Sequence, residues 1–195
     1  ISPGLVDTPA YDGMQAAAKS AMFEAAARGL PVGRTGRPED IAPAVELLIA
    51  NTFATGVLLD IDGGEPTLNP NLLELVAFAR AAGYRKVNVT TNGRMFAYRD
   101  FAEAAMRAGL NSFTFSLHGH TPALHDGITH AQGSLEQALR GLEHIRWVQA
   151  RHGIRPHLMN NQILLPENTR HLKDVVALLG PLGVGLFMVQ PFIAQ

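Results

Sequence analysis

The stretch Asp60-Ile61-Asp62-Gly63-Gly64-Glu65-Pro66-Thr67 decides how the rest of the chain is read. To its left, Val57 to Ile61 is a near-continuous apolar run, the pattern of a strand covered on both faces. Gly63, Gly64 and Pro66 punctuate the end of that strand. To its right, Asn71 to Ala82 carries Leu72, Leu75, Val76 and Ala79 at helical spacing, and Gly83 stops the helix. Strand, turn and helix therefore meet at this point.

The same alternation continues towards the C-terminus. Lys86 to Thr91 reads as a strand leading to Asn92-Gly93, and Tyr98 to Ala108 as a helix ended by Gly109. Ser112 to Leu117 is a strand. Ser134 and Gln137 form a capping box for a long helix to about His152, with Leu135, Leu139, Leu142 and Ile145 as its stripe. His157 to Leu165 is a strand, Asn168 to Leu179 a helix, and Gly185 to Pro191 a last strand, in which Phe187 and Met188 read as core. Trp147 is assigned to packing.

Strands spaced by amphipathic helices predict an α/β fold with a parallel sheet and right-handed crossovers. The expected architecture is a partial (β/α) barrel of five or six parallel strands, the alternative an open flavodoxin/Rossmann-like three-layer sheet. In either, residues 62–69, 91–96, 116–130, 160–168 and 190–192 share the rim at the C-terminal strand ends.

Towards the N-terminus, Met14 to Arg28 is an alanine-rich helix stopped by Gly29. Pro38, Glu39 and Asp40 suit a first helical turn, and the helix runs to about Ala50 with Ile41, Val45 and Leu48 on one face. Ile1 reads as the end of a strand and as a fragment boundary, and could supply the sixth strand. A chain of 195 residues, 47% apolar, is expected to form one domain over 1–195. A net charge of −1 gives no footprint for nucleic acid. No apolar run approaches the ~18 residues that span a bilayer, and no leader is legible. A cytoplasmic, soluble protein without nucleic-acid or membrane partners is expected. Cysteine is absent, which removes disulfides, thiolate nucleophiles and cysteine-ligated clusters from these residues.

Residues 1–64 resemble the C-terminal segment of a short-chain dehydrogenase/reductase. The match rests on Ile1-Ser2-Pro3-Gly4 with Thr8, and on Pro31-Val32-Gly33-Arg34 through Pro38-Glu39-Asp40-Ile41-Ala42. Thr55-Gly56 and Asp62-Gly63-Gly64 complete it. The resemblance implies that Pro3, Gly4, Val6 and Thr8 are remnants of a loop beside a nicotinamide. The Gly-rich phosphate turn of that family is missing from these residues, and such a turn is what holds a pyrophosphate. The Tyr-x-x-x-Lys pair is missing too, since the first lysine after Tyr11 is Lys19.

Residues 63–195 resemble the central part of a radical S-adenosylmethionine enzyme barrel. The residues that carry this are Gly63-Gly64-Glu65-Pro66-Thr67, Asn69-Pro70, Val89-Thr90-Thr91-Asn92-Gly93 and Phe115-Ser116-Leu117-His118-Gly119. Asn160 or Asn161, and Gln190, stand where that family places polar residues towards its ligand. The resemblance implies that Gly63, Gly64 and Glu65 meet the amino group of S-adenosylmethionine, where exposed carbonyls and a carboxylate favour an ammonium. It implies Ser116 at the ligand's carboxylate or ribose and Asn161 at the ribose edge. The family's three-cysteine loop, which holds a four-iron cluster, has no counterpart here. A dehydrogenase-like βα unit stands where that loop belongs.

The expected function is that of a non-catalytic chimeric scaffold, recombined or designed, with no catalytic residue, no metal and no cofactor. The alternatives are a weak residual binder of S-adenosylmethionine or a related ligand at the rim, and a mosaic enzyme of unknown reaction. His118, His120, His125 and His130 match no standard metal spacing and read as a solvated loop, the alternative being adventitious metal binding. A hydrolytic Ser116/His118/Asp126 set lacks an oxyanion hole. Leu186 to Val189, followed by Phe192 and Ile193, is an apolar edge with no covering helix after it, so a homodimer through this strand and the helix at 168–179 is expected; the alternative is a monomer whose N-terminal helices fold over that edge.

Overall fold

A computed structural model describes residues 6–7, 11–29, 33–40, 58–61 and 64–191. The chain divides into two compact units, Ile1–Thr55 with Asp62–Gly64, and Gly56–Ile61 with Glu65–Gln195. The single domain expected from sequence spans both.

In the first unit, α1 (Ala16–Gly29) is the alanine-rich helix. Phe23 on its side meets Tyr11 edge-on at 5.3 Å between ring centroids, and the Lys19 ammonium reaches Asp7 at 2.9 Å and Asp12 at 3.2 Å. Val6 bridges Gly36. Residues 38–40 are helical, as Pro38 predicts, and the Asp40 carboxylate accepts two bonds from Arg34 and one from the Arg37 N–H. The remainder of the helix expected to Ala50, and the strand end expected at Ile1, lie outside the described residues.

The second unit is five parallel strands in the order β1-β2-β3-β4-β5: Leu58–Ile61, Lys86–Thr91, Ser112–Phe115, His157–Leu164 and Leu186–Pro191. The crossovers carry α2 (Leu72–Ala81), α3 (Arg99–Ala108), α4 (Pro122–Thr129), α5 (Ser134–His152) and α6 (Leu172–Leu179). The strand order follows the chain without reversing, which is the order of a (β/α) barrel. Rossmann and flavodoxin sheets reverse at a switch point, so the open-sheet alternative is set aside.

Register puts Val89 opposite Phe113, and Phe115 opposite Asn160. Val87, Val89, Phe113, Phe115 and Leu158 thus share one face, and all are buried. Phe96 sits over that face, 5.3 Å from Phe113 and 6.2 Å from Phe115 between centroids, and Leu142 and Ile145 of α5 close the core. Gly93 is required here: its φ is +80°, and a Cβ would lie 2.3 Å from the Phe115 ring. The opposite face is polar. Ser112 and Thr114 hydroxyls both donate to the Asn88 side-chain oxygen, at 2.8 and 3.3 Å, and all three residues are buried.

Several sequence expectations change. Phe187 and Met188, read as core, are only half-buried, and the strand expected to Leu117 ends at Phe115. Leu75, read as inward, is 42% exposed, because α2 buries Leu72, Val76 and Ala79 instead. The helix expected from Asn168 begins with a 3-10 turn, Thr169–His171. The histidine-rich segment is not a solvated loop: Pro122–Thr129 is helical, capped by the Thr121 hydroxyl, and His125 is 2% exposed. The capping box at Ser134 and Gln137 does not form. Gly133 is the N-cap of α5, and the Gln137 side chain accepts instead from Arg94 at 2.6 Å. Trp147 packs as expected, with the Arg99 and Arg151 guanidinium groups 5.0 and 5.2 Å from its ring.

Candidate functional site at the strand-end rim

Gly64 has φ +75°, and Glu65 caps the 3-10 turn Pro66–Leu68. Its carboxylate accepts four hydrogen bonds, two from backbone N–H groups and two from hydroxyls. One oxygen accepts from the Thr67 N–H at 3.2 Å, the Thr67 hydroxyl and the Thr91 hydroxyl at 2.7 Å. The other accepts from the Asn92 N–H at 2.7 Å. Thr91 is the last residue of β2 and is buried; its hydroxyl oxygen accepts from the Gly93 N–H at 3.0 Å. Its carbonyl accepts from the Ser116 N–H at 2.9 Å. Glu65, Thr91 and Ser116 therefore form one chain across the ends of three neighbouring strands.

The next strand joins by an amide. Asn160 is buried on β4, where its side chain accepts from the Leu117 N–H at 3.0 Å and donates to the Leu117 carbonyl at 3.1 Å. The rim expected from sequence is thus stitched together at Glu65, Thr91, Asn92, Ser116, Leu117 and Asn160. Asn161 follows on the other face of the pleat, half-buried, with its side-chain oxygen buried and unpartnered. Ser116, also half-buried, continues the alternation of Ser112 and Thr114 on that polar face. Beside Glu65, Leu68, Asn92, Arg94, Tyr98 and Gln137 border a cleft of about 240 Å³.

Of the residues predicted for the S-adenosylmethionine site, Gly64, Glu65, Ser116 and Asn161 are described, and Gly63 lies outside the described residues. Of the predicted nicotinamide loop, Val6 is described, half-buried and paired with Gly36; Pro3, Gly4 and Thr8 lie outside. Sequence reasoning missed Thr67, Thr91 and Asn92 as the partners of Glu65. The signal was a threonine two residues beyond the glutamate, and a Thr-Asn-Gly strand end with free donors.

The histidines beyond Ser116 are built in. The His118 N–H donates to the Nδ1 of His125 at 3.0 Å, and His118's own Nδ1 accepts from the Ile163 N–H at 3.4 Å. Burial holds both rings below the ordinary imidazole pKa, and with the neighbouring His118 added, His125 falls to about 4. Asp126 is committed elsewhere. It accepts from the Gly133 N–H at 2.6 Å, the Ser134 hydroxyl at 2.9 Å and the Leu135 N–H at 3.0 Å. Burial raises its carboxyl pKa, but these three donors outweigh that and leave it below the usual carboxylate range. It orients no histidine for a hydrolytic set. His130, in the left-handed region at φ 53°, ends α4 and is exposed.

The family model of the radical SAM superfamily matches residues 18–179, and the chain belongs to that superfamily. The match begins inside the segment read above as dehydrogenase-like and runs through it. Among curated relatives, a probable GTP 3',8-cyclase of Sulfolobus acidocaldarius is 28% identical over 116 residues, 60% of this chain and 34% of that protein. An AdoMet-dependent heme synthase of Oleidesulfovibrio alaskensis is 27% identical over 132 residues, 66% of this chain and 32% of that protein. The chain thus spans about a third of the length of these relatives. A crystal structure of archaeal TYW1 shares the fold, with a TM-score of 0.53 at 16% identity over 96% of this chain and 62% of that one. Among the described residues no helix is long and apolar enough to cross a membrane.

The resemblance to radical enzymes implies a four-iron cluster, which is held by thiolates. These 195 residues contain no cysteine, so their donor set does not fit that cluster.

Proposed function

We propose that these 195 residues form a non-catalytic scaffold of radical-SAM type, joined to a segment of dehydrogenase descent at the Gly63-Gly64 turn. The observation that carries the reading is the engagement of Glu65. Its carboxylate takes four hydrogen bonds from Thr67, Thr91 and Asn92, which is what a residue fixing the rim does and leaves little capacity for a ligand's ammonium. The absence of any thiolate in the chain agrees with it. Support for dehydrogenase descent comes from the motifs of residues 1–64 alone. After anaerobic reconstitution with iron and sulfide, this chain is expected to gain no stoichiometric cluster and to give no reductive cleavage of S-adenosylmethionine. A stoichiometric cluster with cleavage refutes the reading.

A second reading rests on Asn161. Its buried, unpartnered oxygen is an acceptor awaiting a donor, and such groups are costly unless something meets them. Weak binding of S-adenosylmethionine or a related ribose-bearing ligand on the polar face fits it. Calorimetric titration is expected to give a Kd of order 1 mM, about −4 kcal/mol, weakened by Asn161→Ala. A Kd that Asn161→Ala leaves unchanged removes this reading. As to assembly, a homodimer through β5 draws support from Leu186 and Val189, which are 51% and 44% exposed on an edge strand.

A further inference from the structure

We propose that His120, His171 and Asp174 form a divalent transition-metal site, with zinc the best fit. The three come from two separate stretches of the chain. His120 lies between β3 and α4, His171 ends the 3-10 turn before α6, and Asp174 stands in the first turn of α6. One ligand atom from each lies within 4.8 Å of the other two. The Nδ1 of His171 is 3.0 Å from the Asp174 carboxylate, and the Nε2 of His120 is 3.9 Å from the same oxygen. The two imidazole rings face each other at 5.0 Å between centroids, tilted by 36°.

Those separations suit an ion. Ligand bonds of about 2.0–2.2 Å in a tetrahedral shell place donor atoms about 3.3 Å apart. The 3.0 and 3.9 Å spacings bracket that value, so small side-chain rotations complete the shell. Two neutral imidazoles and one carboxylate are a borderline donor set, which favours zinc, cobalt or nickel over magnesium or calcium. Three protein ligands leave a fourth position for water. The Nδ1 of His120 is buried and has no hydrogen-bond partner. Metal at Nε2 would place the proton on Nδ1, where it meets no acceptor, a cost that the ion's bonds must exceed.

The frame around the ligands is already held. Asn168, wholly buried, donates to the His118 carbonyl at 2.9 Å and to the Ile163 carbonyl at 2.8 Å, and accepts from the Leu165 N–H at 2.9 Å. This one side chain ties the segment bearing His120 to the turn bearing His171. Gly119, beside His120, packs against α4 so closely that a Cβ would lie 2.8 Å from the His125 nitrogen. His171 and Asp174 are three residues apart at the start of α6, which puts them on one face. The ion would staple the β3–α4 segment to α6, 51 residues later in the chain for His171 and 54 for Asp174 (171 − 120 and 174 − 120). This site is independent of whether the rim binds S-adenosylmethionine.

Calorimetric titration of the full 195-residue chain with zinc chloride tests it. One site is expected, with a Kd of about 10 µM or tighter. His120→Ala, His171→Ala and Asp174→Asn are each expected to weaken it at least ~10-fold, whereas His130→Ala leaves it unchanged. Cobalt chloride in place of zinc is expected to give the visible d–d bands of a four-coordinate ion, lost in His171→Ala. His171 and Asp174 are half-buried and exposed, so circular dichroism of the zinc-free variants is expected to match the parent chain. Absence of saturable zinc binding below ~100 µM, or a Kd that neither His171→Ala nor Asp174→Asn changes, overturns the proposal.

Discussion

Two carboxylates in this molecule do the same work in different places. Glu65 follows β1 and gathers donors from its own turn and from the end of β2. Asp126 lies in α4, after β3, and gathers donors from the start of α5. Each meets backbone N–H groups that have no partner in regular structure, and with them two hydroxyls at Glu65 and one at Asp126. The resemblance to radical enzymes implies a ligand role for Glu65; no motif marks Asp126 at all. The physical demand at both is the same, since strand ends and helix starts leave donors over and an anion satisfies several at once. What distinguishes the two regions is what surrounds the knot: an open cleft beside Glu65, and a buried histidine beside Asp126.

The largest expected effect lies at Asp126. Asp126→Ala removes three charge-assisted bonds and leaves the start of α5 uncapped, for a loss of about 3–4 kcal/mol in urea denaturation. Asp126→Asn keeps an acceptor and is expected to cost less. A loss below ~1 kcal/mol would break the parallel with Glu65 and make the Asp126 contacts incidental.

A somewhat smaller effect comes from acid. His125 is held neutral, with its Nδ1 accepting from the His118 N–H, so protonation breaks that bond and places a charge in the interior. Its folded pKa of about 4 lies below the ordinary 6.5. The unfolded chain therefore binds the proton first as pH falls. The stability that neutral His125 contributes is complete above about pH 6.5 and is lost progressively towards pH 4, by about 2–3 kcal/mol. His125→Gln is expected to flatten this part of the profile. Identical pH profiles for the two chains would show that His125 does not set the acid limb.

The smallest effect concerns the β5 edge. If two copies pair there, Val189→Asp shifts the dimer towards monomer by about tenfold in Kd, the scale of 1.4 kcal/mol. Light scattering coupled to size exclusion reads this. A mass of about 21 kDa for the parent chain at tens of micromolar contradicts pairing.

Much of the fold was legible because its signals are local. Alternating apolar strands and helices, each stopped by glycine, give the parallel order, and β2, β4 and α5 fall within a residue or so of the sequence limits. The helix α4 was missed although Thr121-Pro122 is an N-cap followed by proline at the first helical position; four histidines in thirteen residues masked that signal. The capping box failed for a non-local reason. Its role is taken by Asp126, eight residues before Ser134, and nothing at Ser134 or Gln137 announces that. At the site, Glu65, Ser116 and Asn161 were legible as positions on one rim, but their occupations were not. Whether a carboxylate faces a ligand or the protein depends on donors such as Asn92, 27 residues away, brought in by the sheet. The cluster of His120, His171 and Asp174 was out of reach of spacing rules, because α4, α5 and β4 separate His120 from the other two.

The central claim is that the Glu65 carboxylate holds the rim together without any ligand. Urea denaturation of Glu65→Gln against the parent chain, with no ligand present, tests it most directly. The exchange keeps the shape and removes the charge that Thr67, Thr91 and Asn92 donate to, so a loss of about 2 kcal/mol is expected. Unchanged stability, together with a measurable affinity for S-adenosylmethionine that Glu65→Gln abolishes, would contradict the account and return Glu65 to the ligand.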